Sequence, residues 1–196
     1  MNIVLTGFMG TGKTSVGRAV AARLGRPFLD MDAEIEARAG KTISTIFNEE
    51  GEAVFRRMEA ELCRELSARQ GLVIATGGGT LVDTAYGAAS CGTPSYGAEN
   101  RRRMMASGPL FCLWCDVDVL LRRLAPAQDR PLLDVDDRRA EIEALLSRRR
   151  VAYAALPRQI DTTDLSVDEV ADRVIDAARS ILLPVRTPSG RYPIHV

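Results

Sequence analysis

Ile3-Val4-Leu5-Thr6-Gly7-Phe8-Met9-Gly10-Thr11-Gly12-Lys13-Thr14 runs a short apolar stretch straight into a glycine-rich loop with the spacing GxxxxGK[ST]. Between a strand and a helix, that spacing is a phosphate cradle, because its glycines let backbone N–H groups point together at a polyanion. Gly10, Thr11, Gly12, Lys13, Thr14 and Ser15 are therefore the nucleotide-binding candidates. Lys13 is expected over the terminal phosphates, and the Thr14 hydroxyl on a magnesium ion. The helix that must follow is legible, since Val16, Val20 and Leu24 recur at helical spacing with Ala19, Ala21 and Ala22 in support.

Outward from this unit, Phe28-Leu29 is a second short apolar run and ends in Asp30-Met31-Asp32. While the chain stays extended, alternation puts both carboxylates on one side, facing the phosphate loop from a strand end. The plainer alternative is that Asp32 caps a helix beginning near Ala33. Gly40 stops that helix, and a short stripe over Ile43 and Ile46-Phe47 follows, with Thr42 or Ser44 as its cap. Glu52 to Leu66 reads as a long amphipathic helix. Phe55, Met58, Leu62 and Leu66 form its apolar side, with Arg56, Arg57, Glu59 and Glu61 on other faces. Leu72 to Ala75 has the continuous apolar character of a strand covered on both faces, and it enters Thr76-Gly77-Gly78-Gly79. Three adjacent glycines cost more unfolded-state entropy than a turn requires, which favours close approach of a ligand over a simple turn.

Thr84 to Gly97 reads as an irregular excursion, and Glu99 to Met105 as a brief helix whose arginines 101 to 103 are solvated surface. Leu110 to Cys115 makes a strand, and Val117, Leu120, Leu121 and Leu124 mark the helix after it. The polar connection 126–137, with Arg130-Pro131-Leu132-Leu133 at its centre, is expected to be a mobile cover over phosphate. A helix through Ile142, Leu145 and Leu146 reaches Arg149 and Tyr153, and Arg158 to Asp161 forms a last short strand. Ser166 to Glu169 has capping-box spacing and opens the final helix toward Ile181. Residues 1–183 are expected to be one domain, with 184–196 a loose tail.

Composition narrows the function. Apolar residues make up 46% and charged residues 27%, an ordinary globular balance. Twenty-six basic side chains match twenty-six acidic ones, which argues against a nucleic-acid partner held by bulk charge. No stretch approaches a membrane span, and the amino terminus reads as a strand without an export signal, so a cytoplasmic protein is expected. Cys63, Cys91, Cys112 and Cys115 form no second pair to complete a four-thiolate zinc set. His195 is the one histidine, so histidine triads and HExxH chemistry have no residue to use.

Short apolar strands alternating with helices imply a three-layer α/β domain with a mostly parallel sheet. Right-handed crossovers then bring the phosphate loop, Asp30 to Asp32 and Gly77 to Gly79 to one edge. With no guanine-reading NKxD, a small-molecule kinase stands ahead of a motor or a translation-type GTPase. Arg56, Arg130 and Arg149 can form a cationic rim for an anionic acceptor, and Asp32 can accept a hydrogen bond from its hydroxyl.

Six stretches in this order resemble the shikimate kinase family: GFMGTGKTSVG (Gly7 to Gly17), FLDMDAEIE (Phe28 to Glu36), IFNEEGEAVFRRME (Ile46 to Glu59), TGGG (Thr76 to Gly79), RPLL (Arg130 to Leu133) and RxxxY (Arg149 to Tyr153). The resemblance implies a three-layer α/β/α fold with a five-stranded parallel sheet, a P-loop kinase with a lid, and transfer of phosphate from ATP to the 3-hydroxyl of shikimate. Carried onto this chain, it implies that Asp32, Lys13 and Arg130 are catalytic, with Asp32 holding the reacting hydroxyls. Arg56 and Arg149 would grip the shikimate carboxylate, with Gly77, Gly78 and Gly79 beside the substrate. Arg123 and Arg130 join the phosphate loop as nucleotide contacts, and Mg2+ is held by Thr14 directly and by Asp30 through its outer sphere. ATP and shikimate are the expected partners of a monomer. Three departures from the family pattern stand out: the long path over 84–97, threonine rather than serine at position 14, and Thr163-Asp164-Leu165 where an arginine often lies near adenine. A kinase for another small acid such as gluconate, and a non-catalytic nucleotide-responsive binding protein, remain alternatives at this point.

Overall fold

The computed structural model describes residues 1–83, 95–125, 137–182, 186–187 and 190–191. The expected excursion therefore lies outside the described residues up to position 94, as does the expected lid up to position 136, Arg130 included. Five strands, β1 (Ile3–Gly7), β2 (Phe28–Asp30), β3 (Val73–Ala75), β4 (Leu110–Trp114) and β5 (Gln159–Asp161), form one sheet in the order β2-β3-β1-β4-β5. All its pairings are parallel. The helices are α1 (Lys13–Leu24), α2 (Met31–Ala39), α3 (Ile43–Glu50), α4 (Glu52–Ser67), α5 (Tyr96–Ser107), α6 (Val117–Leu124), α7 (Arg138–Ala154) and α8 (Val167–Leu182). Two short strands near the end, β6 (Arg186–Thr187) and β7 (Gly190–Arg191), pair antiparallel within the segment expected to be a loose tail.

Strand alternation sorts the core into two layers. Val4, Ile74, Leu110 and Cys112 pack with Ile46, Phe55, Leu62 and Leu66 of α3 and α4. Their neighbours Ile3, Leu5, Val73, Phe111 and Leu113 pack on the opposite face with Val16, Val20, Val170 and Val174 of α1 and α8. Apolar burial on both faces is what makes the strands read as unbroken hydrophobic runs. A third cluster joins Phe8 and Met9 of the phosphate loop to Leu120, Leu124, Ile142 and Leu145. Among the described residues, no helix is long and apolar enough to cross a membrane.

Register fixes the site. Asp30 lies beside Ala75, and Ala75 beside Leu5, so β2 and β3 end at one level, β1 runs on to Gly7, and their following loops share the carboxyl edge of the sheet. Some boundaries differ from the sequence reading. Helix α5 begins at Tyr96 rather than Glu99, because Ser95 caps it by accepting from the Ala98 N–H at 3.2 Å. Arg101, expected as solvated surface, donates to the Leu81 carbonyl at 3.3 Å. The Ser166 capping box forms as expected, with Glu169 N to Ser166 Oγ at 3.2 Å and Ser166 N to Glu169 Oε2 at 2.8 Å.

Candidate active site

Gly12 caps α1 at φ 95°, a left-handed conformation suited to glycine, and so turns the loop amides toward the helix axis. Thr11 Oγ1 closes the turn by donating to the Phe8 carbonyl at 2.8 Å. The Lys13 ammonium donates to the Gly7 and Phe8 carbonyls at 3.0 and 2.9 Å. A cleft of about 400 Å³ opens above the loop, lined by Gly10 to Ser15, Asp30, Asp32, Gly78 and Arg123, with Leu165, Val167 and Val170 supplying apolar wall.

Beside Thr14 the expectation needs one correction. The chain turns helical at Met31, so Asp30 and Asp32 do not share one side of an extended strand. Asp30, rather than Asp32, is the helix cap: its Oδ1 accepts from the Asp32 and Ala33 N–H groups at 3.1 and 3.5 Å. Its other oxygen accepts from Thr14 Oγ1 at 2.6 Å. One carboxylate thus joins the phosphate helix to the second strand, while Asp32 is left in the first turn of α2, at the cleft.

The triple glycine explains itself by what surrounds it. A methyl group on Gly77 would stand 2.6 Å from Asp32 Oδ1 and 2.8 Å from Glu59 Oε1. On Gly79 it would meet Arg56 Nη1 at 2.7 Å, and on Gly78 it would lie 3.9 Å from Arg149 Nη1. Residues from α2, α4 and α7 therefore converge on one short loop, and at Gly77 and Gly79 only the absence of a side chain admits them. Arg56 and Arg149 are both buried, 6% and 7% exposed, in spite of their charge. Each guanidinium lies over an aromatic ring, Arg56 above Phe55 at 5.3 Å and Arg149 above Phe8 at 5.9 Å.

Arg56 is also held along its own helix. It donates from Nε and Nη2 to Glu52 Oε1 at 3.1 and 2.9 Å, and from Nη1 to Glu59 Oε2 at 2.6 Å. Burial works against its charge, yet Glu59 and Glu52 outweigh burial and raise its pKa. The sequence reading set Glu59 on a face of α4 other than the apolar one; the residue is 1% exposed. Its second oxygen accepts from the Thr80 hydroxyl, and the Thr80 carbonyl accepts from Asn100 Nδ2 at 3.1 Å. Glu59 and Thr80 are thus site residues that periodicity missed. The i, i+3 spacing of Arg56 and Glu59 was the available signal. Across the loop, the Tyr153 hydroxyl donates to the Gly78 carbonyl.

At the other end of the cleft, Arg123 donates to Thr162 Oγ1 at 3.1 Å and to the Thr162 carbonyl at 2.8 Å, and it lines the cleft together with the phosphate loop. Among the described residues, no group of three or more His, Cys, Asp or Glu side chains could hold a metal ion. The Thr14–Asp30 pair offers two hard oxygens instead. Cys63, Cys112 and Cys115 are buried and free, and burial raises each thiol pKa, that of Cys112 to about 11, as suits packing rather than chemistry.

A family model described as shikimate kinase matches residues 9–179, nearly the whole arrangement above. The chain belongs to the shikimate kinase family. The shikimate kinase of Pelotomaculum thermopropionicum is 42% identical over 174 residues, 89% of this chain and 93% of that one. That of Thermodesulfovibrio yellowstonii is 40% identical over 174 residues, 89% and 92% of the two chains. Among solved structures, a shikimate kinase from Acinetobacter baumannii in complex with shikimate has a TM-score of 0.80 at 36% identity, covering 91% of this chain and 93% of the other. A gluconokinase from Sinorhizobium meliloti has a TM-score of 0.50 at 18% identity over 92% and 95% of the chains, a likeness of fold alone. Membership in the shikimate kinase family favours shikimate over gluconate as acceptor.

Proposed function

We infer that this chain transfers the γ-phosphoryl group of ATP to the 3-hydroxyl of shikimate, giving shikimate 3-phosphate and ADP. The observation that carries the reading is the convergence of one carboxylate, Asp32, and two buried arginines, Arg56 and Arg149, on the glycine loop beside the phosphate cradle. Phosphoryl transfer needs little covalent chemistry from the protein, so positioning and charge neutralisation supply most of the rate. The two guanidiniums suit a planar carboxylate, and each charge-assisted contact is worth roughly 1.5 to 3 kcal/mol. Asp32 accepts the hydrogen bond of the attacking hydroxyl, and Gly77 to Gly79 let the ring lie against backbone.

The loop amides and Lys13 hold the nucleotide phosphates, with Arg123 toward the base. Thr14 Oγ1 would hold Mg2+ directly, with Asp30, which accepts from that hydroxyl at 2.6 Å, in its outer sphere. When bound, the ion would supply charge neutralisation for the phosphates. Arg130, which lies outside the described residues, is assigned to the transferring phosphate, where a guanidinium would offset its charge. This reading places the enzyme in the cytoplasm with ATP, working as a monomer.

The test is ATP consumption with shikimate, quinate and gluconate in parallel, with and without magnesium. Magnesium-dependent turnover on shikimate at least tenfold above the other two is expected. Turnover that prefers gluconate, or none with any acid, overturns the assignment.

A further inference from the structure

The Tyr153 hydroxyl touches both halves of the acceptor site. It donates to the Gly78 carbonyl, and the Arg149 guanidinium stands against the same glycine, 3.9 Å from where a methyl group there would lie. Arg149 and Tyr153 are four residues apart on α7, so they occupy one helix face and meet the glycine loop together. The ring is wedged between two packed clusters, one under the sheet and one behind the phosphate loop. Its position is thereby fixed independently of any ligand.

We propose that Tyr153 is a positioning residue for the acceptor carboxylate: its hydroxyl sets the Arg149 guanidinium and the Gly78 peptide in one geometry before shikimate arrives. This rests on the function proposed above. A phenol can donate one hydrogen bond and accept another, so one oxygen can tie a carbonyl to a cation. Burial pushes its pKa up to about 12, with Arg149 opposing, so the donor stays protonated at neutral pH. An arginine side chain has several rotatable bonds, and fixing it in advance removes an entropic cost that binding otherwise carries. Phenylalanine keeps the packed ring but leaves the Gly78 carbonyl without this donor and removes the hydroxyl dipole beside Arg149.

The experiment compares the full-length wild type with Tyr153→Phe, Arg149→Met and the double variant, measuring kcat, KM for shikimate and KM for ATP. Tyr153→Phe should raise KM for shikimate about tenfold, equivalent to 1.4 kcal/mol, with KM for ATP within twofold and kcat little changed. In the Arg149→Met background the same change should add less than twofold, because the two act as one unit. Additive losses, an unchanged KM for shikimate, or equal losses for both substrates overturn the proposal. A wild type without shikimate turnover defeats the proposed function instead, so the two failures are told apart.

Discussion

Gly79→Ala should cripple shikimate recognition while sparing the fold. The backbone at Gly79 lies outside the left-handed region, so alanine meets no dihedral strain. The new methyl carbon would lie 2.7 Å from Arg56 Nη1, 2.9 Å from Nη2 and 3.1 Å from Cζ. Ordinary carbon contacts begin at about 3.5 Å, so the guanidinium must retreat by about 0.8 Å. It cannot do so freely, since Glu52 and Glu59 hold it with three hydrogen bonds. A displacement of that size breaks the geometry of a bidentate carboxylate contact worth roughly 1.5 to 3 kcal/mol. Shikimate affinity should fall on the order of tenfold to a hundredfold. Calorimetric titration of Gly79→Ala with shikimate and, separately, with an ATP analogue gives the answer, with thermal unfolding as the control for folding. Shikimate affinity within twofold of wild type would show that Arg56 does not hold the acceptor. A matching loss of nucleotide affinity would show a damaged scaffold.

Arg149→Met should weaken shikimate binding at least tenfold and leave nucleotide binding nearly intact, both read by calorimetry. Asp32→Asn should retain much of the shikimate affinity and lose turnover, because the carboxylate acts on the reacting hydroxyl more than on ground-state binding; initial rates beside affinities separate the two. Alkaline stability carries a tyrosine signature. Tyr153 titrates at about 12 in the fold against an ordinary 10.0, so the unfolded chain loses its proton first, and stability present below pH 10 is lost as pH rises toward 12. Denaturant melts of wild type should therefore fall more steeply over that interval than those of Tyr153→Phe, and parallel curves would refute the linkage.

The parts of the site that were legible in sequence are those made by contiguous residues. The phosphate loop needs its glycines, Lys13 and Thr14 at fixed spacing on one turn, so a linear pattern captures them. The triple glycine was legible as a close approach, although not what approached it. That information lies in α2, α4 and α7, tens of residues away. Asp30 was read as one of two matched carboxylates because nothing local says whether a strand ends at position 30 or 32; the cap hydrogen bonds decide it. The burial of Glu59 was not legible because an apolar stripe defines only the oily part of a buried face, and charges neutralised by each other can share that burial. Helix α5 starts early because Ser95 ends a polar, tyrosine-containing stretch whose composition resembles a loop.

Lys13 illustrates a different point about nucleotide recognition. Its ammonium already has the Gly7 and Phe8 carbonyls as partners. In the function proposed above, an arriving triphosphate would exchange those partners for its own oxygens, so that affinity would record only the difference between two satisfied states. The full charge of the lysine becomes useful where phosphate oxygens grow more negative than in the ground state, during transfer itself. On that proposal, a residue parked in this way would add little to the grip on a nucleotide at rest and most of its strength at the moment of reaction.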